Sequence, residues 1–169
     1  MRRDLVIVGA GAFSVEIAGA VEAVNAAADA EVWRLLGFLD DDPKLWGRSV
    51  AGVPVLGPIE AAADDGRRYI IGIANYRNRQ VRESVARRLA LPDERFASIV
   101  HPGAHVSRLA TIGPGGAVLP GAVVESRATI GRHVLVSPLS IVSHDVRLED
   151  FATLAQRATV CGSVRVGRH

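Results

Sequence analysis

The chain is poor in cysteine and in aromatic side chains, and neither sign of charge dominates. Its single cysteine, Cys161, has no intrachain partner, so no disulfide staples the fold, a usage that fits a reducing cytosol. Aromatic residues make up only 5% of the chain, so the core must be built from Val, Ile, Leu and Ala. Twenty Lys and Arg stand against 18 Asp and Glu. With no basic cluster and no interleaved stacking aromatics, this argues against a nucleic-acid partner. The uncharged runs fall far short of the roughly 20 apolar residues of a membrane helix, which predicts no membrane insertion. The start, Met1-Arg2-Arg3, has the charge of a signal-peptide n-region. Asp4, Gly9 and Gly11 interrupt the apolar run behind it, and no cleavage-site pattern comes before Glu16. The segment reads as a strand, and a cytoplasmic protein is expected.

What is present points to a folded chain. Its 169 residues are 49% hydrophobic, enough for one ordinary domain or two small ones. The first half alternates strands and helices. Leu5-Val6-Ile7-Val8 is a strand of the doubly buried kind, followed by Gly9-Ala10-Gly11 and a helix from Phe13 to Ala28. Trp33 to Leu39 is a second strand, running into Asp40-Asp41-Asp42. A short strand at Val53-Pro54-Val55 and a short helix from Ile59 to Ala63 come next. Tyr69 to Ala74 is a strand, Arg77 to Ala90 a basic amphipathic helix, and Phe96 to Val100 a further strand. Such alternation predicts a small parallel α/β sheet.

From residue 100 the period changes. An aliphatic residue stands at every sixth position, from Val100, Val106, Ile112, Val118, Val124 and Ile130 through Val136, Val142, Leu148, Leu154, Val160 and Val166. Four places after most of them is a small residue, among them Ala104, Ala110, Gly116, Ala122, Ser140 and Ala152. Neither the 3.6-residue period of a helix nor the two-residue period of a strand yields six. A triangular coil does: the aliphatic points inward, the small residue lets the chain turn, and three units close one coil of about 18 residues.

Two motifs carry chemistry. His144-Asp145 holds the third and fourth places of its unit, near a corner and pointing out of the coil. An imidazole suits proton removal at neutral pH, and a neighbouring carboxylate can orient it. One coil later, at the same place, stands Gly162, which predicts open space over His144. In the first half, Gly9-Ala10-Gly11 between strand and helix has the geometry that offers backbone N–H groups to a phosphate. As a dinucleotide fingerprint it is incomplete, because Ser14 stands at the third glycine place and the acidic run comes late. That counts against an NAD oxidoreductase. A metal hydrolyase on the same scaffold needs converging histidines, and the positions one coil either side of His144 are Ser126 and Gly162. His101, His105, His133 and His169 read as exposed corner residues, and no metal site is expected.

The hexapeptide period, with Val6-Ile7-Val8-Gly9-Ala10-Gly11, Gly37-Phe38-Leu39-Asp40-Asp41, Gly72-Ile73-Ala74-Asn75 and Val142-Ser143-His144-Asp145-Val146, resembles the left-handed β-helix acyltransferases. More narrowly, it is similar to the family of nucleotide-sugar 4-amino N-acetyltransferases and sialic-acid O-acetyltransferases. The resemblance implies a Rossmann-like nucleotide-sugar-binding domain over residues 1–98 and a left-handed parallel β-helix over 99–169. It implies transfer of acetyl from acetyl-CoA to the amino group of a nucleotide-linked 4-amino sugar. His144 is then the general base, and Asp145 raises its basicity. Gly162 lines the acetyl-CoA site, and Thr153 occupies the place of a second, cofactor-contacting histidine. Gly11, Ala12, Phe13, Asp40, Asp41 and Asn75 hold the nucleotide-sugar, and Ser137 stands where an acceptor-binding asparagine is usual. Arg77, Arg79 and Arg82 are candidates to help with phosphate, although for most of them a solvated basic helix face is the expected reading. A homotrimer with His144 facing a neighbouring subunit is also implied. Two other readings stay open: O-acetylation of a sialic-acid-type sugar, and a sugar-nucleotide-binding protein that has lost turnover. The repeat ends inside a unit at Val166-Gly167-Arg168-His169, whereas the family continues through further coils, so a shortened C-terminal end is expected.

Overall fold

The computed structural model describes residues 3–28, 31–63 and 65–169. Met1 and Arg2, weighed above as a signal n-region, lie outside the described residues. The chain divides between Ala97 and Ser98 into two compact units.

The first unit is a five-stranded sheet with a helix on each side of its central strand in sequence. Its elements are β1 (Arg3–Val8), α1 (Ala12–Ala27), β2 (Trp33–Leu39), β3 (Ser49–Val50), β4 (Val53–Gly57), β5 (Arg68–Ile71) and α2 (Val81–Leu89). The strand order is β3-β4-β2-β1-β5, parallel throughout except for β3 against β4. Leu5, Val6, Ile7 and Val8 are all fully buried, as an uninterrupted apolar run at the centre of a parallel sheet requires. Helix α1 buries Ile17, Ala18, Ala20 and Val21. Because β2 and β5 flank β1 on opposite sides, a crevice opens at the carboxyl end of β1, the topological switch point of such sheets.

The boundaries that differ from expectation have identifiable causes. The segment after Pro58 makes only a 3₁₀ turn, Ile59–Ala61. The Tyr69 hydroxyl both accepts from the Ala63 N–H and donates to the Ala63 carbonyl, removing that residue's backbone from helix bonding. Strand β5 stops at Ile71 because the next carbonyl, that of Gly72, accepts from Ser14 Oγ at 3.0 Å. Helix α2 begins at Val81 instead of Arg77, because Asn75 Oδ1 accepts from the N–H groups of Arg77 and Asn78 and closes a turn there. Of residues 96–100, Phe96 bridges to Tyr69 in the first unit, and Ile99–Val100 is the first strand of the second.

The second unit is a left-handed parallel β-helix of two-residue strands in three four-stranded sheets. Each strand pairs with the strand 18 residues on. Val106, Val124, Val142 and Val160 form one column, Ile112, Ile130, Leu148 and Val166 another, and Val100, Val118, Val136 and Leu154 the third. These columns meet in one aliphatic core. The corners share one backbone device. From Gly115 through Gly121, Arg127, His133, Leu139, Asp145, Phe151, Arg157, Ser163 and His169, every sixth residue has φ between +53° and +72°. Left-handed backbone in non-glycine residues is unfavourable by roughly 1–2 kcal/mol each, so the core has to offset it. Leu148→Ala is therefore expected to destabilise the β-helix by about 2–5 kcal/mol. The outward Thr129→Ala, in a paired strand, should change stability by no more than about 0.5 kcal/mol. Denaturant unfolding of both variants measures the contrast.

Candidate active site

The crevice at the end of β1 is a cavity of about 530 Å³, lined by Gly9, Gly11, Ala12, Phe13, Asp40, Gly72, Ile73, Ala74, Asn75, Tyr76 and Arg77. Gly9 is a backbone requirement: its φ is +96°, and a Cβ there would lie 2.6 Å from Ile73 Cγ1. Ser14, at the third glycine place, is fully buried, so this position closes helix α1 onto β5 through a hydroxyl instead of bare backbone. No side chain caps α1 at Gly11, and its first turn carries no acidic residue. The N–H groups of that turn meet the cavity wall, an arrangement that favours an anion.

The acidic run divides its labour. Asp40 lines the cavity, but its Oδ2 accepts from the Ala10 N–H at 2.8 Å and its Oδ1 from the Asp42 N–H at 2.9 Å. It thus pins the glycine loop while keeping lone pairs for a ligand. Asp41 does not line the cavity. Both of its oxygens accept from Arg88, whose guanidinium also meets Glu60 and holds the Asp41 carboxyl below the usual carboxylate range. Its assignment to substrate binding is corrected to a clamp between the acidic loop and α2, because Arg88, one helical face away in sequence reading, captures it. Arg77 lines the cavity instead of lying on a helix. Arg82 is 3% exposed and donates to the Ile73 carbonyl at 2.9 Å, and burial pushes its pKa down to about 10. The solvated face expected for it is absent, because Arg82 stands three and seven residues before Val85 and Leu89 and shares their buried face of α2.

A second concavity, of about 490 Å³, is lined by Arg3, Asp4, Arg34, Asp65, Gly66, Arg67 and Arg68. Its cations are engaged already: Arg34 by Asp4, Arg67 by Asp65, Arg68 by the Glu94 carbonyl, and Arg3 over the Trp33 ring at 5.1 Å.

In the β-helix, the corner between strands Ile141–Val142 and Arg147–Leu148 carries His144 and Asp145. His144 Nδ1 is 2.9 Å from Asp145 Oδ2, and the imidazole side chain is 58% exposed. The preceding coil supports this step with three consecutive residues. Glu125 Oε2 accepts from the His144 N–H at 2.9 Å, and the Ser126 carbonyl accepts from the Asp145 N–H at 3.0 Å. Arg127 donates through Nε and Nη2 to the two Asp145 oxygens at 2.6 and 2.7 Å. That guanidinium, with His144 second, holds the Asp145 carboxyl far below the usual range. Glu125 and Arg127 were missed in the sequence, although the 18-residue register that placed Gly162 also places them.

Gly162 does lie over the ring. A Cβ there would stand 2.6 Å from both Cε1 and Nε2 of His144, so no other residue fits without moving the imidazole. With Nδ1 donating to Asp145, Nε2 is left as the acceptor nitrogen, and the Cε1–Nε2 edge of the ring lies against Gly162, in the room a side chain there would take. Ser137 and Thr153 lie elsewhere. Both belong to the third sheet's coils, opposite the corner that carries His144. Ser137 is 0% exposed with an enclosed Oγ, so this structure does not present it to an acceptor. Its partner Ser140 instead donates to the Ser137 and Ala155 carbonyls, tightening the corner. His133 is 3% exposed, not a solvated corner residue: its ring stacks on Phe151 with centroids 5.0 Å apart. Among the described residues, no three His, Cys, Asp or Glu side chains converge as a metal-ligand set. Among those residues, too, no helix is long and apolar enough to cross a membrane.

A free imidazole nitrogen over a missing side chain, on a hexapeptide β-helix joined to an α/β unit with a phosphate-type loop, defines the class. The chain is a hexapeptide-repeat acyltransferase. Residues 4–89 match the family described as the PglD N-terminal domain, and the chain belongs to that family. It is similar to the acetyltransferase domain of PglB from Neisseria gonorrhoeae FA1090, solved in complex with acetyl coenzyme A. The identity is 26% and the TM-score 0.79, over 98% of this chain and 77% of that one. A mutant GDP-perosamine N-acetyltransferase from Caulobacter crescentus, in complex with CoA and GDP-perosamine, shares the fold. There the identity is 24% and the TM-score 0.79, over 96% of this chain and 73% of that one. WeeI from Acinetobacter baumannii AYE also shares the fold, at 17% identity and a TM-score of 0.61 over 99% of this chain and 95% of that one. Comparison with curated protein sequences gives no match.

Proposed function

We propose that this chain transfers acetyl from acetyl-CoA to the amino group of a nucleotide-linked 4-amino sugar, in the cytoplasm and as a homotrimer whose His144 corners face neighbouring subunits. The observation that carries the reading is the exposed His144 ring with its Cε1–Nε2 edge fitted against the bare backbone of Gly162 and its Nδ1 2.9 Å from Asp145 Oδ2. In this reading the sugar amine attacks the thioester carbonyl, and His144 Nε2 takes the proton that the nitrogen sheds. The carbon–sulfur bond then breaks and CoA leaves as the thiol or thiolate. No nucleophilic side chain intervenes, so no acyl-enzyme forms. The complexes of the PglB domain with acetyl coenzyme A and of the perosamine enzyme with CoA and GDP-perosamine support both substrate classes. Gly162 lines the thioester site, and Thr153, in the third sheet, is assigned to the cofactor.

The α/β cavity holds the nucleotide. Gly11, Ala12 and Phe13 present the first turn of α1 to the diphosphate, and Asp40, Asn75 and Arg77 surround it. Asp40→Ala removes the acceptor that pins Ala10 and one cavity carboxylate. Affinity for the nucleotide-sugar should fall roughly 5- to 100-fold by calorimetric titration, with transfer at saturation largely kept.

The reading as a whole is tested by thiol release from acetyl-CoA over UDP-, dTDP- and GDP-linked 4-amino sugars, with a sialic-acid-type sugar beside them. Turnover on one nucleotide 4-amino sugar is expected. Turnover confined to the hydroxyl acceptor would replace the N-acetyl reading with O-acetylation, and nucleotide-sugar binding without any transfer would replace it with a binding protein.

A further inference from the structure

We infer that Arg127 is a positioning residue for the acyl transfer: it locks the Asp145 carboxylate where it meets His144 and offsets its charge, so that Asp145 holds the imidazole in one orientation. The inference rests on His144 acting as the base. It starts from register. Residues 18 apart stack, so residue 127 underlies residue 145 as surely as 144 underlies 162. Both Arg127 donors used are on the carboxylate, in the two-pronged geometry that fixes a carboxylate in direction as well as place. Asp145 Oδ2 is shared, accepting from Arg127 Nη2 and meeting His144 Nδ1. An isolated carboxylate at 2.9 Å would favour the imidazolium strongly. One already neutralised by a guanidinium does so much less.

Of the other charges near this corner, Arg147 and Arg165 are both paired with Glu149, whereas Glu125 accepts only from the neutral His144 N–H and keeps its charge, which is the same in the parent and in the Arg127 variants. The following coil offers Cys161, Gly162 and Ser163 at this corner, and the Ser163 N–H donates to the His144 carbonyl. Arg127 is itself 63% exposed in its side chain, so the fold has no stake in its burial, and its replacement should act on the site alone.

The test uses the full chain with Arg127→Gln and Arg127→Lys and two readouts. One is the pH profile of acetyl transfer, the other the NMR titration of the His144 ring, which needs no turnover. With Gln, both the acid limb and the ring's midpoint should move up by roughly half to one pH unit relative to the parent. The plateau rate should fall several-fold as the carboxylate loses its anchor. With Lys, which keeps the charge but not the fork, the limb should stay near the parent's while the plateau still falls. Adding Asp145→Asn to Arg127→Gln should abolish the upward move. A Gln variant that superimposes on the parent in both readouts, with His144→Ala inactive, overturns the role of Arg127 alone. A His144→Ala chain that keeps the parent's rate overturns the base assignment itself.

Discussion

His144→Ala is expected to lower kcat for acetyl transfer by about 10²- to 10⁴-fold, the range in which a positioned general base contributes. An amine attacking a thioester passes through a tetrahedral species whose nitrogen carries an extra proton. That proton must leave before the carbon–sulfur bond breaks productively. In the proposed reaction Nε2 of His144 takes it, with Nδ1 committed to Asp145. Truncation should leave the fold alone. The side chain is more than half exposed, and its loss removes no core contact, so unfolding should shift by no more than about 0.5 kcal/mol. Nucleotide-sugar affinity should be kept, because the cavity proposed for it is built in the other unit. The measurement is steady-state thiol release for parent and variant beside a binding titration. Equal rates would remove His144 from the chemistry whatever the acceptor.

The second large effect is expected at Gly162. In Gly162→Ala the new Cβ would fall 2.6 Å from Cε1 and Nε2 of His144, and one of the two has to move. The backbone of a β-helix corner is held by its neighbours on both sides, whereas an exposed imidazole can swing. The ring therefore leaves Asp145, at little cost in stability. Misplacing a reacting group by about 1 Å is sufficient to slow a reaction about 10²-fold, and a loss of that order in kcat/KM is expected. The double variant Gly162→Ala with His144→Ala tells how it arises. If the methyl acts through the ring, the pair should be no slower than His144→Ala alone. If the losses multiply, the methyl fills the space needed by the thioester. Parent-level activity in Gly162→Ala would mean that the ring works from another position.

What could be read from the sequence follows from how far each interaction reaches along the chain. The β-helix was legible because its core is a strict local rhythm: twelve aliphatics at a spacing of six have one physical explanation. The stacking of Gly162 on His144 followed from the same count. The glycine loop and Asp40 also fell in one cavity as expected, because strand, loop and helix are contiguous there. The misreadings came from individual side-chain hydrogen bonds, one local and one distant. Asn75 delays helix α2, and Arg88 draws Asp41 away from the cavity across 47 residues. Neither has a period to betray it. Glu125 and Arg127 are a different case. Their place beneath the dyad was available from the register, but attention to residues adjacent in sequence hid partners that lie one full turn away.

The uniform 18-residue register of the coils gives this polypeptide something like a reading frame. Apart from the bond between the two, the hydrogen bonds described for His144 and Asp145 come from residues 125–127 and 163, one turn before or after. Inserting one residue between Arg127 and His144 would turn each aliphatic out of the core until a bulge absorbed the extra length, and would bring a wrong neighbour beneath the imidazole. Inserting six would restore the core but rotate the site to a different corner of the triangle. Only a change of eighteen keeps the inward columns and the corner together, and even then it separates the dyad from its supports if it falls between them. Length in this half of the molecule is thus quantised, and the stretch from Glu125 to Ser163 is one in which natural variation should proceed by substitution alone.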